Sequence, residues 1–259
     1  MFVATVLVAG LVASLGGTPV RASDTSVFGP QQVKTAIATC DSGARYAGGG
    51  MINYGSAGGG GVAITAVVPA EDQQSVKVIA RAPAGMVGSW SVTAYVMCES
   101  SVTPYRETGT GVGTAEASCS DTTQLFGLGF RIEGGVPRSI TIDQDLETVR
   151  VAADSWLAQV TAFALCRPSG EMDRVRTTTA SHSWPIVAPF SENDPQKAVY
   201  GVGATVTGPP RATLDAIVPG PDNGTTWARG TLFGVASKKA FADEGGTVMV
   251  EAAFGGTFH

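Results

Sequence analysis

The sequence predicts an all-β protein of three related four-stranded antiparallel units, set in a β-prism-like or barrel-like array with pseudo-threefold symmetry. A twelve-stranded β-sandwich is the alternative packing. Composition predicts the strands: 34 of the 259 residues are glycine and only 15% are charged. Val, Thr, Ser and Gly are plentiful while Leu, Lys and Glu are few, a balance that favours strands and turns over helices. Self-similarity predicts the units. "CDSGARYAGGGM" from Cys40 and "CSDTTQLFGLGF" from Cys119 open alike, and "VTAYVMC" ending at Cys98 and "VTAFALC" ending at Cys166 close alike. Alternation predicts the pairing pattern: in "SVKVIARA", Val76 and Val78 fall on one face and Lys77 and Ile79 on the other.

Taken in chain order, residues 1–22 read as a secretory leader. Residues 2–15 are almost all apolar or small, the run is too short to span a bilayer, and Val20-Arg21-Ala22 offers small or aliphatic residues for cleavage before Ser23. No Lys or Arg precedes the run, so a membrane-anchored N-terminus is the competing reading. Residues 23–37 form an N-terminal segment. Unit 1 covers 38–99, with strands near 45–54, 62–69, 75–82 and 90–98. Unit 2 covers 117–167. Unit 3 covers 196–256 and lacks cysteines: "YGVGATV" at 200–206 answers "FGLGFRI" at 126–132, and "LDAIVPG" at 214–220 answers "ITAVVPA" at 64–70. Polar, turn-rich stretches connect the units. Asn223-Gly224 is the strongest hairpin signal, and Lys238–Glu244 is the best candidate for a single helical turn.

An even cysteine count in an exported chain points to two disulfides. The repeat selects Cys40–Cys98 and Cys119–Cys166 from the three possible pairings, each stapling the two ends of a unit. A zinc site is disfavoured, because there is no Cys-x-x-Cys and there are only two histidines. The expected location is therefore secreted or extracytoplasmic, with no transmembrane segment in the mature chain. A net charge of −5 argues against a nucleic-acid surface.

Candidate chemistry is sparse. The Gly-x-Gly pairs are followed by more strand and not by a helix, so they read as points of close backbone approach and not as a phosphate cradle. No cofactor motif is present. Ser42 and His182 lie in loops that superficially suggest a hydrolase, without an Asp signature between them. Asp143, Asp145 and Glu147 of "DQDLE" share one face of a predicted strand, which would suit Ca²⁺ or glycoside hydrolysis. Their plainer reading is a solvated strand face. Trp90, Trp156 and Trp227 are the candidate ligand-binding residues, since aromatic rings at the ends of a β array make platforms for sugars; core packing is the plainer reading of each.

The pattern Cys-x₇-Gly-x-Gly with a closing Trp-x-Val-Thr-Ala-Tyr-x-x-Cys resembles repeats in secreted actinobacterial proteins of undefined function, over most of residues 38–167. "CSDTTQLFGLGFRIEGG" is also similar to a repeat of the vitelline membrane outer layer family, a β-prism of three related sheets. That family places its cysteines differently and carries an acidic "DDTA" stretch missing here. The second resemblance implies only the threefold architecture, and neither supplies catalytic residues. The expected function is an exported, non-enzymatic binding or structural protein for carbohydrate or a cell-envelope polymer. The alternatives are a carboxylate-dependent glycan hydrolase and a secreted protein-interaction or inhibitor module.

Overall fold

Three units exchange strands in a cycle, and that exchange defines the fold. The computed structural model describes residues 20–41, 44–55, 61–72, 74–86, 88–99, 104–168, 170, 172–191, 197–220, 225–233 and 245–256. Unit 1 supplies β1 (Val20–Thr25), β2 (Val33–Thr39), β3 (Ala44–Tyr54), β4 (Ala63–Pro69), β5 (Ser75–Arg81) and β6 (Trp90–Glu99). Unit 2 supplies β7 (Tyr105–Val112), β8 (Thr114–Ser118), β9 (Thr123–Glu133), β10 (Pro137–Ile142), β11 (Thr148–Ala153) and β12 (Gln159–Pro168). Unit 3 supplies β13 (Met172–Ser181), β14 (Ile186–Ser191), β15 (Lys197–Thr207), β16 (Ala212–Val218), β17 (Thr225–Leu232) and β18 (Gly246–Gly256). No helix occurs among the described residues.

The strands form three six-stranded antiparallel sheets, ordered β1-β6-β3-β16-β17-β14, β7-β12-β9-β4-β5-β2 and β13-β18-β15-β10-β11-β8. Every sheet obeys one rule. It takes the first, sixth and third strands of one unit and then the fourth, fifth and second strands of the preceding unit in the cycle. None closes on itself into a barrel, and three sheets of this kind are compatible with a prism-like or a sandwich arrangement. Adjacent sheets meet at corners where β1 lies against β2, β7 against β8 and β13 against β14. The long strands β3, β9 and β15 touch one another at the centre.

The four strands expected in each unit are present as its third to sixth strands, but they do not form one sheet. The inner hairpin of each unit (β4–β5, β10–β11 or β16–β17) crosses to the next sheet. The other correction concerns what precedes them. The expected N-terminal segment 23–37 and the two connectors hold most of β1, β2, β7, β8, β13 and β14, with β1 beginning at Val20 inside the expected leader. All six lie at sheet edges, where one side of the backbone faces no partner strand and polar sequence is favoured. "YRETGTGV" and "MDRVRTTTAS" carry charge and glycine accordingly, so their apolar alternation is faint. By contrast, all seven residues of β16 are buried, as expected for a strand covered on both faces.

One continuous apolar core draws on all three sheets. The units are joined at three seams, where β3 meets β16, β9 meets β4 and β15 meets β10. Gly49, Gly129 and Gly203 sit at these seams. A Cβ on any of them would collide with the carbonyl oxygen of Ile217, Val67 or Ile140 respectively, so close backbone approach is what the glycines permit. Their cross-strand partners Tyr95, Phe163 and Glu251 confirm the equivalence. Counting from the cysteines instead pairs Gly50 with Gly129, one residue out of register.

Both expected disulfides are present, Cys40–Cys98 and Cys119–Cys166, with Cα–Cα distances of 5.8 and 5.5 Å. In unit 3 the position of Cys98 and Cys166 is held by Phe254, which packs on Phe190 at 6.0 Å between ring centroids. Two disulfides fit a compartment outside the reducing cytoplasm. No helix among the described residues is long and apolar enough to cross a membrane. Asn223, Gly224 and Lys238–Glu244 lie outside the described residues.

Candidate functional site

Odd-numbered strands of every unit run toward one end of the array and even-numbered strands return. The connector after β2 or β8 carries Cys40 or Cys119, so one end is stapled. The opposite, open end carries the turns before β6 and β12 and the first residues of β18.

The structure does not bring the candidate tryptophans together. Trp90 is fully buried, at the start of β6 opposite Tyr54. The Lys34 ammonium lies 5.4 Å from the centre of its ring. Lys34 is itself buried and donates to Val27 O and Gln31 Oε1 at 2.7 and 2.6 Å; burial lowers its pKa. A ring so enclosed offers no stacking face, which corrects the assignment of Trp90 as a ligand-binding residue. Trp227 is half-buried on β17, with the Arg229 guanidinium 6.0 Å from its ring.

Trp156 differs from both: it is 79% exposed at the open end, beside exposed Leu157 and Val112. A rigid turn presents it. Ala158 N donates to Ser155 O, Leu157 N to Ser155 Oγ, and Gly113 N to Ala158 O. Gly113, with φ of 73°, lets its backbone lie directly under Trp156.

The acidic trio occupies a turn at the stapled end and not a strand face, because β10 stops at Ile142. Asp143 Oδ1 accepts hydrogen bonds from the backbone N–H of Glu147 and Thr148 at 2.8 and 3.0 Å. Its carboxylate is thus spent on closing the turn, while Asp145 is exposed. Among the described residues no group of three His, Cys, Asp or Glu side chains is placed to hold a metal. His182 lies at the open end, far along the strands from Cys40; Ser42 lies outside the described residues. His182, Ser181, Thr207, Gly208 and Thr247 line a shallow depression of about 420 Å³ on the outer face of β13, β15 and β18. Trp184 packs beneath its floor against Gly208 and Gly246.

Sequence reasoning missed the polar groups that tie units together. Arg21, Arg106 and Arg174 occupy the same place on β1, β7 and β13, opposite Met97, Leu165 and Ala253. Each Nη1 donates to a carbonyl of the neighbouring unit: Pro219 O at 3.3 Å, Pro69 O at 2.7 Å and Ile142 O. The Arg21 and Arg106 guanidinium groups also cover the rings of Tyr95 and Phe163 at 5.0 and 5.2 Å. In unit 3 the ring is replaced by buried Glu251, which pairs with Arg176 at 2.6 Å and accepts from Ile142 N–H at 2.9 Å.

A second group spans the seam between units 1 and 3. Arg229 Nε donates to buried Asp215 Oδ1 at 2.8 Å, Tyr54 Oη donates to Asp215 Oδ2 at 3.1 Å, and Arg229 Nη2 donates to Ile52 O at 2.8 Å. Burial raises the Asp215 pKa against the pull of Arg229, and the Asp215 charge raises that of Arg229 against its own burial. A third group lies near the central axis, where Phe126 and Tyr200 stack at 4.6 Å and buried Arg167 covers both rings at 4.5 and 5.2 Å. Phe126 and Tyr200 are the extra residues of matching bulges in β9 and β15. Glu99 and Arg167, directly after the closing cysteines, bring opposite charges to equivalent places, and that juxtaposition was the available signal in the sequence.

These polar groups act as structural ties between units. No known protein family matches the chain, and no curated protein matches it.

Proposed function

We propose that the protein is an exported, non-enzymatic binding module whose open end takes a carbohydrate or cell-envelope polymer. The presentation of Trp156 carries this reading. A 79% exposed indole on a hydrogen-bonded turn supplies a large apolar face with little ordering to be done on binding, which suits stacking against a sugar ring. The disulfides and the seams hold the scaffold beneath it. The hydroxyl groups of Ser181, Thr207 and Thr247 offer polar contacts elsewhere at that end.

Binding to a polysaccharide panel, including peptidoglycan, with a change in tryptophan fluorescence is the expected outcome. Trp156→Ala should weaken it tenfold or more, while Trp227→Phe leaves it within about twofold. Blank binding across the panel, with fluorescence unmoved, contradicts the carbohydrate reading.

A further inference from the structure

The exported chain must contain everything that the fold uses, and this bears on where its leader is removed. Val20-Arg21-Ala22 suits cleavage before Ser23, yet all three residues are part of β1. They pair with Cys98, Met97 and Val96 of β6. That places them directly beside the Cys40–Cys98 staple.

Arg21 is also one of three equivalent residues. Arg106 and Arg174 clasp β4 and β10 to units 2 and 3 in the same way that Arg21 clasps β16 to unit 1. Arg21 stacks on Tyr95 as Arg106 stacks on Phe163. A cut before Ser23 would remove one clasp of three. It would expose the outer edge of β6 from Val96 to Cys98 and uncover the Tyr95 ring.

We propose that Val20–Thr25 belongs to the mature fold and that the processing bond lies ahead of Val20. The hydrolysed peptide bond then releases the whole apolar run of residues 2–15 and leaves Arg21 on the folded side. The expectation rests on the leader reading for the cut, and on the clasp geometry alone for the need for Arg21; two measurements separate these.

The N-terminal peptide of protein recovered from a culture supernatant should begin at or before Val20. A chain produced to begin at Val20 should melt about 5 °C or more above one that begins at Ser23. Arg21→Ala in the longer chain should reproduce part of that loss. An exported N-terminus at Ser23, or equal melting of the two chains, overturns the proposal.

Discussion

Gly129 stands where a side chain would enter the carbonyl oxygen of Val67, and Gly49 and Gly203 stand in the same place at the other two seams. Gly129→Ala should destabilise the protein by about 2–3 kcal/mol through backbone displacement at the seam, read as a lower urea midpoint with an unchanged slope. The repeat of these glycines is legible in the sequence, but their register is not. The connector after Cys40 is one residue shorter than that after Cys119, so spacing alone equates Gly50 with Gly129. Arg229 is another residue on which a seam depends. Arg229→Met strands the buried Asp215 carboxylate, at a cost of about 3–5 kcal/mol. Without the cation, burial raises the Asp215 pKa further, opposed by the Tyr54 and backbone hydrogen bonds that remain. A folded-state pKa above the unfolded one favours folding at low pH and loses that contribution as pH rises through it. Relative to the parent, the variant's deficit should therefore shrink as pH falls toward the ordinary carboxylate range, as thermal melts from pH 7 to pH 4 would register.

Among the elements, the sequence makes plain the strands that lie inside the sheets. "SVKVIAR" alternates and "ATLDAIV" is continuously buried, so the third to sixth strands of each unit are recognisable. The six edge strands are less plain: β13 is rich in charged and hydroxylic residues, β2 turns Lys34, Ala36 and Ala38 inward and Val33 and Ile37 outward, and β7 needs Gly109 and Gly111 to let β8 approach at a corner. The cysteine pairing follows from the repeat because the closing strand returns beside the first cysteine in each unit. Disulfide loops spanning 58 and 47 residues stabilise by roughly 4 kcal/mol each on the chain-entropy estimate. Replacing Cys119 and Cys166 together by Ala should lower the melting temperature by about 10 °C. Phe254→Ala, at the corresponding place in unit 3, should cost about 3–4 kcal/mol by emptying its contact with Phe190. A negligible loss in the cysteine pair variant would show that the seams alone hold unit 2.

The whole molecule has a property that no single unit has. Each sheet is shared between two units, so removing any unit leaves two sheets incomplete and opens the common core. The threefold count was readable from the sequence, whereas the exchange was not, because the residues that enforce it are single glycines, bulges and arginines that act between units far apart in the chain. The candidate site was less readable than the fold. Trp90, Trp156 and Trp227 look alike in sequence, and only the turn geometry separates the buried ring from the exposed one. The three units cooperate as one array. Calorimetry of the oxidised protein tests it most directly: the exchange predicts a single transition whose van't Hoff and calorimetric enthalpies agree. Two or three separate transitions, with units melting independently, would contradict it.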